Sequence, residues 1–361
     1  MMRVAILGSG GGGLSAATEL TLNGFSCALW NRGAAAISDI IKQGSFSYRG
    51  VLGEGRVAPG LVTQDLVEAL AGADVALVSL PTLAHASIAT GLASAGWAGP
   101  VILNPGHTGG ALEFRAVYEE LGKPLPPIAE FSTLTYVARK TKPSTVNITG
   151  RAKSVRCATL PGGGAAAEMA KILYPRISHV PDVLFSSLSN VNLVLHPPGA
   201  VLGASWVEAT GGSFTFYREG LSDGVARVMR RLDDERRAVG LAFGHELPAL
   251  VEEMVRIGTV EEKDAGKSIR KAISGGEANA TIMAPDSLGH RYYLEDFGHG
   301  LLPLAELANC AGVEVPTAAA LLEIGRCLLG EELIAGGRTA QALGIRGLDR
   351  EGVISIVREA A

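Results

Sequence analysis

Short apolar runs alternate with helical patterns in the first half of the chain. The apolar runs are Val4–Leu7, Cys27–Trp30, Val75–Leu80 and Val101–Leu103. Leu14–Leu22 and Leu66–Ala71, which lie between them, have the apolar spacing of helices. Short continuous apolar runs separated by helices are typical of a parallel sheet covered on both faces. We expect Thr145–Ile148 and Val155–Leu160 to extend this sheet, before a helix from about Ala165 to Leu173.

The pattern changes after Pro181, where long amphipathic stretches replace the strand signals. These stretches are Asp182–Leu195, Leu221–Phe243, Ala249–Ile257, Leu301–Ala311, Thr317–Leu329 and Asp349–Ala360. Apolar residues recur in them at helical spacing, and strand-like alternation is almost absent. The pattern therefore predicts an α/β N-terminal domain over residues 1–180 and an all-α C-terminal domain over residues 181–361.

A glycine-rich turn follows the first apolar run. Gly8, Gly10 and Gly13 match the pattern G-x-G-x-x-G, between a predicted strand and a predicted helix. In this context the first glycine permits a tight turn, the second lets a pyrophosphate approach the backbone, and the third lets the helix pack closely. We include Gly11 among the cofactor-binding candidates. The turn predicts a Rossmann-type nucleotide site, and a glycine turn without a ligand is the alternative.

The end of the second predicted strand indicates which dinucleotide binds. Enzymes that use NAD usually carry Asp or Glu about 20 residues beyond the glycines, where it binds the ribose hydroxyls. Here Asn31 and Arg32 occupy this place. Asn31 removes a carboxylate that would repel a 2′-phosphate, and the planar guanidinium of Arg32 suits one. We therefore expect NADP(H) in preference to NAD(H), unless Arg32 merely points to solvent.

Residues at the ends of later strands are further candidates. Pro81 follows the third apolar run and Asn104 follows the fourth, and loops at the carboxyl ends of such strands line the cofactor crevice. We therefore expect both to bind the cofactor. The segment continues through His107 to Gly109 and Gly110, whose backbone could approach a ligand closely. An ordinary turn and helix start is the alternative.

Two segments of the second half carry chemistry-bearing side chains. Asn190-x-Asn192 leads to His196 and two prolines, and because proline disfavours helical geometry in the preceding residue, we expect His196 to end a helix. The segment from Arg291 to Gly300 holds an arginine, two carboxylates and His299. From the residues alone, either histidine could be structural, and His299 competes with His196 as the base.

Taken together, these segments resemble the opine dehydrogenase family, whose members make octopine, nopaline and N-(carboxyalkyl)amino acids. The matching segments are the glycine turn, Asn-Pro-Gly-x-Thr-Gly-Gly-Ala-Leu-Glu-Phe from Asn104, Asn-x-Asn…His-Pro from Asn190, Tyr-x-x-Glu-Asp from Tyr292, Gly-Leu-Leu-Pro-Leu from Gly300 and Gly-Arg-Thr from Gly337. They occur in the family's order, and the resemblance extends over nearly all of the 361 residues.

The resemblance implies roles for individual residues. His196 and Asp296 correspond to a catalytic His–Asp pair, and Arg291 corresponds to an anchor for the carboxylate of a 2-oxo acid. Asn192 and His107 are further substrate-binding candidates, whereas His299 falls outside the family's catalytic role. Histidine titrates near neutral pH, so His196 could act as a general acid. The implied reaction joins an amino acid to a 2-oxo acid and reduces the imine with hydride from NADPH.

Composition narrows the possible partners. The net charge is −4, and the arginine-rich stretch around Arg230 is interleaved with acidic residues, which gives no basis for nucleic-acid binding. We expect no signal peptide before the first strand, and no run of about 18 apolar residues is present for a membrane span. The four cysteines have no metal-ligand spacing, which predicts reduced, buried thiols and no metal site. We expect a cytoplasmic homodimer, because two-fold dimers are the commonest oligomers.

Two rival functions share this two-domain plan. A hydroxy-acid or ketopantoate-type NADP-dependent reductase usually relies on a lysine in the helical domain, and Lys263, Lys267 and Lys271 are available for this role. Alternatively, a sensor could hold NADP(H) without turnover, and His196 and Asp296 would then have no catalytic role.

Overall fold

The computed structural model describes residues 1–276, 279, 281–330 and 336–358. They form two compact units. The first contains Met1–Gly106 and Gly110–Val183, and the second contains His107–Gly109 and the described residues from Leu184 onward. The chain therefore contributes three residues to the second unit before it completes the first. In the part of the chain that is described, no helix is both long enough and apolar enough to span a membrane.

Twelve strands lie in the first unit. They are Arg3–Leu7 (β1), Ser26–Trp30 (β2), Phe46–Gly50 (β3), Gly55–Val57 (β4), Leu61–Thr63 (β5), Val75–Val78 (β6), Val101–Leu103 (β7), Ile128–Phe131 (β8), Tyr136–Lys142 (β9), Thr145–Arg151 (β10), Val155–Thr159 (β11) and Ile177–His179 (β12). Eight of them form the main sheet, in the order β12-β11-β8-β7-β6-β1-β2-β5. β6 and β7 are buried at every residue, as expected of strands covered on both faces.

Helices of the first unit connect these strands. They are Gly11–Leu22 (α1), Ala34–Gln43 (α2), Leu66–Leu70 (α3), His85–Ser94 (α4), Gly110–Glu120 (α5) and Gly164–Leu173 (α6). β2 and β6 pair with β1 on its two sides, both in parallel, so the strand order reverses at β1. In open α/β sheets, ligands bind beyond the carboxyl ends of the strands at such a reversal.

A second, four-stranded sheet has the order β4-β3-β10-β9. The prediction that Thr145–Ile148 extends the main sheet is therefore wrong, because these residues belong to β10. The preceding strand, β9, ends only two residues before β10, and this short turn lets the two strands pair antiparallel as a hairpin. Val155–Leu160 does supply a main-sheet strand, β11, which runs antiparallel to β8.

The second unit is helical in its described residues, apart from one isolated bridge between Thr215 and Met283. Its helices continue the numbering as Val183–Leu188 (α7, which starts at the boundary), Asn192–Leu202 (α8), Ala204–Thr210 (α9), Asp223–Ala242 (α10), Leu250–Ile257 (α11), Ile269–Gly275 (α12), Arg291–Leu294 (α13), Leu302–Ala311 (α14), Pro316–Leu329 (α15) and Arg350–Val357 (α16). The fold class predicted from the sequence is confirmed. Ala360, the predicted end of the last helix, lies outside the described residues.

The helix that carries His196 runs differently from the prediction. We expected it to end at His196, but α8 begins at Asn192 and continues through Pro197 and Pro198 to Leu202. The φ of proline is itself helical, so the main costs are two missing N–H donors and a steric clash with the preceding turn. Every residue from Leu193 to Val201 is buried. This burial stabilises a helix that local preference alone would end.

The four cysteines are free thiols. Cys27 and Cys157 are buried and Cys310 is half-buried, but Cys327 is exposed, so the prediction of four buried thiols is wrong for Cys327. The reason is the register of α15, which buries Ala318, Leu321, Leu322 and Gly325 and leaves Cys327 off that face.

Candidate active site

The glycine turn joins β1 to α1 in the first unit. Gly8 has a φ of 126°, and a Cβ there would lie 2.2 Å from the carbonyl oxygen of Ser79, just beyond β6. A Cβ at Gly13 would lie 1.8 Å from the carbonyl oxygen of Gly8. Both glycines are therefore required by the close packing of the strands and the helix, as in the first and third positions of the motif.

Gly10 and Gly11 differ in their surroundings. A Cβ at Gly10 would meet nothing within 4 Å, whereas a Cβ at Gly11 would lie 2.7 Å from the carbonyl oxygen of Ala138 on β9. Close packing against β9 therefore explains why residue 11 is a glycine. The first N–H groups of α1 have no partner within the helix and carry the positive end of its dipole. At Gly10 the backbone is accessible just before the N-terminus of α1, and a pyrophosphate binds at such a position.

Asn31 and Arg32 follow β2. The Asn31 side-chain oxygen accepts the N–H of Gly33 at 2.9 Å, and the Asn31 N–H donates to the carbonyl of Thr63 at 3.2 Å. Asn31 thus shapes the turn that leads into α2. Arg32 is exposed and makes no ion pair with the described residues. Its guanidinium is available to an anion at the end of β2.

The predicted cofactor residues lie at one edge of the main sheet. Gly8, Asn31, Pro81 and Asn104 follow β1, β2, β6 and β7, which are neighbours in the sheet and all parallel. Their carboxyl ends therefore share an edge, at the reversal of strand order. Pro81 is exposed there and begins a short 3₁₀ turn.

Asn104 is held by the first unit itself. Its side-chain amide donates to the Thr135 hydroxyl at 2.9 Å, and its side-chain oxygen accepts the Thr135 N–H at 3.2 Å. Asn104 is fully buried, and the peptide bond to Pro105 is cis. The side chain therefore ties the end of β7 to the segment before β9. This structural role was missed in the sequence, because it depends on a residue 31 positions away.

The second unit brings together two residues that are 100 positions apart. His196 Nδ1 lies 2.6 Å from Asp296 Oδ2, and the two residues are 5% and 4% exposed. His196 lies within α8, and Asp296 lies between α13 and a π-helical turn, Phe297–Leu301. Such π turns are frequent at functional sites. The buried carboxylate can orient the imidazole and stabilise its charged form.

Tyr217 contacts the other nitrogen of the same ring. The distance from His196 Nε2 to the Tyr217 hydroxyl is 2.7 Å. Burial, followed by the neighbouring Tyr292, holds the pKa of Tyr217 well above its ordinary value, so the hydroxyl keeps its proton. Because a carboxylate only accepts hydrogen bonds, neutral His196 carries its hydrogen on Nδ1 and accepts from Tyr217 at Nε2.

Aromatic rings surround this histidine. The Tyr292 ring stacks on the His196 ring, with 3.7 Å between ring centroids and 17° between the planes, and the Phe216 ring lies edge-on to His196 at 6.2 Å. Tyr217 and Tyr292 were missed as site residues. The run Phe214-Thr-Phe216-Tyr217 was a visible aromatic signal, but only the fold shows which hydroxyl meets a histidine.

Arg291 lies at the surface of the second unit. Its side chain is 60% exposed, and Nη2 lies 3.0 Å from Glu295 Oε2, one helical turn further on. Glu295 is buried and also lies 3.9 Å from His107 Nε2. The Glu295 carboxylate therefore binds one end of the Arg291 guanidinium. Since guanidinium has five N–H donors, others remain for a substrate carboxylate.

His107 belongs to the second unit and has a left-handed backbone, with a φ of 57°. Burial lowers the pKa of this histidine, against the opposing effect of Glu295, so its imidazole is neutral at neutral pH. The next residue, Thr108, fixes the segment. Its hydroxyl accepts from the Asn190 amide at 3.2 Å, and its carbonyl accepts from the buried Arg338 guanidinium at 2.8 Å.

Asn192 is the first residue of α8. It precedes His196 by four positions, so the two side chains share a face of the helix. Asn192 is half-buried, and its N–H donates to the side-chain oxygen of Asn190 at 3.0 Å. Asn190 thus connects the start of α8 to Thr108, which places Asn192 and His107 in one hydrogen-bonded part of the unit.

The remaining candidates lack the features of an acid or base. Burial, and then Arg338, lower the pKa of His299 to about 3, and its Nδ1 has no hydrogen-bond partner among the described residues. Lys263, Lys267 and Lys271 are all exposed, and the first two pair with Glu261 and Asp264. Within the described ranges, no group of three or more His, Cys, Asp or Glu could hold a metal ion.

Comparison with known proteins shows the family of the chain. A family model described as "NAD/NADP octopine/nopaline dehydrogenase, alpha-helical domain" matches residues 179–329. An opine dehydrogenase from Arthrobacter sp. (strain 1C) is 36% identical over 359 residues, 98% of each chain. The chain belongs to the opine dehydrogenase family. It is therefore an NAD(P)-dependent oxidoreductase, as the resemblance implied.

Other similar proteins include an octopine dehydrogenase and an enzyme of another class. The protein ocs of Agrobacterium vitis is 26% identical over 98% of each chain. A solved octopine dehydrogenase in complex with NADH and agmatine has a TM-score of 0.78 and 17% identity, covering 100% of both chains. A ketopantoate reductase from Ralstonia eutropha JMP134 has a TM-score of 0.63 and 18% identity, covering 91% of this chain and 98% of that one. The fold alone thus does not separate the two enzyme classes.

Proposed function

We propose that this opine dehydrogenase joins the amino group of an amino acid to a 2-oxo acid such as pyruvate or 2-oxoglutarate, and reduces the imine with NADPH. The observation that carries the proposal is the buried His196–Asp296 pair at 2.6 Å, in a chain 36% identical to an opine dehydrogenase. An octopine dehydrogenase of similar fold is known with L-arginine and another with pyruvate, which are an amino acid and a 2-oxo acid.

In this proposal the N-terminal domain, residues 1–180, binds the nucleotide and the C-terminal domain, residues 181–361, binds the two substrates. Gly8, Gly10, Gly11 and Gly13 form the turn around the pyrophosphate, with Pro81 and Asn104 at the same sheet edge. The bound cofactor supplies hydride to the imine carbon. The preference for NADPH rests on Asn31 and on the unpaired guanidinium of Arg32. In the same fold, yersinopine dehydrogenase is known with NADP+ bound.

His196 moves the protons. With Nδ1–H donated to Asp296, the Nε2 of His196 accepts the hydroxyl proton of Tyr217 as Tyr217 takes a proton from the substrate ammonium, which frees the amine to attack the oxo acid. The resulting imidazolium returns the proton by the same hydroxyl to the carbinolamine oxygen, which leaves as water. Asp296 stabilises the imidazolium between these steps, and so does the face of the stacked Tyr292 ring. Asn192, on the same helix face, and His107 hold polar groups of the substrates.

The direct test follows NADPH oxidation with pyruvate, 2-oxoglutarate and oxaloacetate, each alone and with a panel of amino acids. We expect oxidation only when an oxo acid and an amine are both present, and faster with NADPH than with NADH. Oxidation with the oxo acid alone would instead identify a hydroxy-acid or ketopantoate-type reductase. Tight NADPH binding without turnover would identify a sensor.

We further propose a cytoplasmic homodimer. The support is general, since the cysteines are free thiols, as in reducing compartments, and two-fold dimers are the commonest assemblies. Light scattering after size-exclusion chromatography tests the dimer, and a mass equal to one chain contradicts it.

We predict that Arg291→Ala raises the KM for the 2-oxo acid by about tenfold to a hundredfold and changes kcat much less. The reason is the loss of charge-assisted hydrogen bonds to the substrate carboxylate, each contributing about 1.5–3 kcal/mol. Arg326→Ala is the matched control, because Arg326 is also a helical arginine paired with a glutamate, at 3.0 Å. If both variants show the KM of the parent, Arg291 is not the anchor.

We predict that Tyr217→Phe lowers kcat by about tenfold or more, because the hydroxyl bonded to His196 Nε2 lies where protons enter and leave the ring. Tyr293→Phe is the control, since it removes another buried hydroxyl, which donates to the Ala200 carbonyl at 2.9 Å. Steady-state rates of the two variants decide the matter. Equal rates in both would make Tyr217 a packing residue only.

A further inference from the structure

Lys140 extends from the second sheet to the glycine turn. Its ammonium donates to the carbonyl of Ala36 at 2.6 Å and to the carbonyl of Ser9 at 3.4 Å. Ser9 lies in the turn after β1, and Ala36 lies in the first turn of α2, four residues after Arg32. The ammonium therefore lies between the two segments that follow β1 and β2.

The geometry of β9 fixes this position. Side chains alternate along a strand, so Tyr136, Ala138 and Lys140 share one face and Arg139 lies on the other. The shared face packs on α1, because the Tyr136 hydroxyl donates to Glu19 of that helix at 2.7 Å and Ala138 lies against Gly11. Arg139 is exposed on the opposite face. The backbone of β9 thus fixes the face of the sheet from which the Lys140 side chain extends.

The surroundings of Lys140 are those of an anion site. The side chain is partly buried, and among the described residues no carboxylate pairs with it. Burial lowers its pKa, although Asp39 opposes this effect. The adjacent Ser9 hydroxyl is also buried and has no hydrogen-bond partner in the part of the chain that is described. The ammonium has three N–H donors and two carbonyl partners, so its third N–H and the unpartnered Ser9 hydroxyl can both donate to a negatively charged acceptor.

We propose that Lys140 is a second cation for the 2′-phosphate of NADP(H), acting with Arg32 to set cofactor preference. This inference rests on the proposed use of NADPH. The ribose that carries the 2′-phosphate binds at the end of β2, where Arg32 and the start of α2 lie. A phosphate monoester carries a charge of about −1.5 to −2 at neutral pH, which one exposed arginine does not neutralise. Lysine supplies the remaining point charge.

The test measures binding alone, by isothermal titration of the full chain with adenosine 2′,5′-bisphosphate and with AMP, which lacks the 2′-phosphate. Lys140→Met keeps most of the length of the side chain and removes its charge. We expect it to weaken binding of the bisphosphate by about tenfold or more and binding of AMP by less than twofold. Arg139→Met is the matched control, with the same charge change on the other face, and we expect it to leave both affinities unchanged.

Each other outcome is decisive. If the parent prefers the bisphosphate and Lys140→Met matches Arg139→Met, the role of Lys140 is refuted and the use of NADPH stands. If the parent binds both ligands equally, the NADPH preference and the role of Lys140 fail together. If Lys140→Met weakens both ligands alike, Lys140 only shapes the turn. Lys140→Arg separates charge from folding, because it should retain the preference for the bisphosphate.

Discussion

His196→Ala is expected to lower kcat by about 10²–10⁴-fold while NADPH affinity stays within about twofold of the parent. His196 and the glycine turn lie in different units of the chain, so removal of the imidazole leaves the nucleotide-binding residues intact. Without Nε2, neither deprotonation of the substrate amine nor protonation of the carbinolamine oxygen has a positioned partner. Stopped-flow turnover and a separate NADPH titration measure the two quantities.

Loss of His196 also leaves the buried Asp296 carboxylate without its partner, which destabilises the second unit. His245→Ala controls for this effect, because His245 is likewise buried in the second unit and packs edge-on to Phe185. Added imidazole should restore part of the rate to His196→Ala and none to His245→Ala. A His196→Ala rate within a few-fold of the parent would mean that another group transfers the protons.

Asp296→Asn is expected to lower kcat by about a hundredfold or more and to preserve the fold. Asparagine has nearly the same shape, so packing around α8 and the π turn is retained. Its amide can donate to Nδ1, which would move the ring hydrogen to Nε2 and leave no base facing the substrate. The substitution also removes the negative charge that stabilises the imidazolium.

Asp286→Asn, a change of an exposed aspartate in the same unit, is the control for Asp296→Asn. Steady-state kinetics and thermal unfolding of the two proteins separate catalysis from stability. If Asp296→Asn keeps the turnover of the parent, the carboxylate does not orient His196 for catalysis, and the proposed proton path must be abandoned.

Local sequence patterns were sufficient to predict much of the secondary structure of the first unit. The buried runs at β1, β2, β6 and β7 predicted parallel strands, because burial on both faces removes polar alternation. The second sheet was missed, since the pairing of β9 with β10 depends on a two-residue turn inside a polar stretch. α8 was misread at Pro197 and Pro198, where burial of a whole helix outweighs a local preference.

Some residues of the candidate site could likewise be predicted from the sequence, and others could not. The glycine turn could be read from a few adjacent residues, because strand, turn and helix are local. His196 and Asp296 could be paired only through the family resemblance, as nothing in their spacing relates them. Lys140 had no local signal at all, and the aromatic run that ends at Tyr217 did not show which hydroxyl meets a histidine. The role of each depends on a contact with a residue far away in the sequence.

Product analysis tests the central claim most directly. The parent enzyme is incubated with NADPH, one 2-oxo acid and one amino acid, and the product is identified by mass spectrometry. Reductive condensation predicts a secondary amine whose mass is the sum of the two substrates less one oxygen atom, formed in equal amount to the NADPH consumed. A 2-hydroxy acid, formed at the same rate with or without the amino acid, would contradict the account.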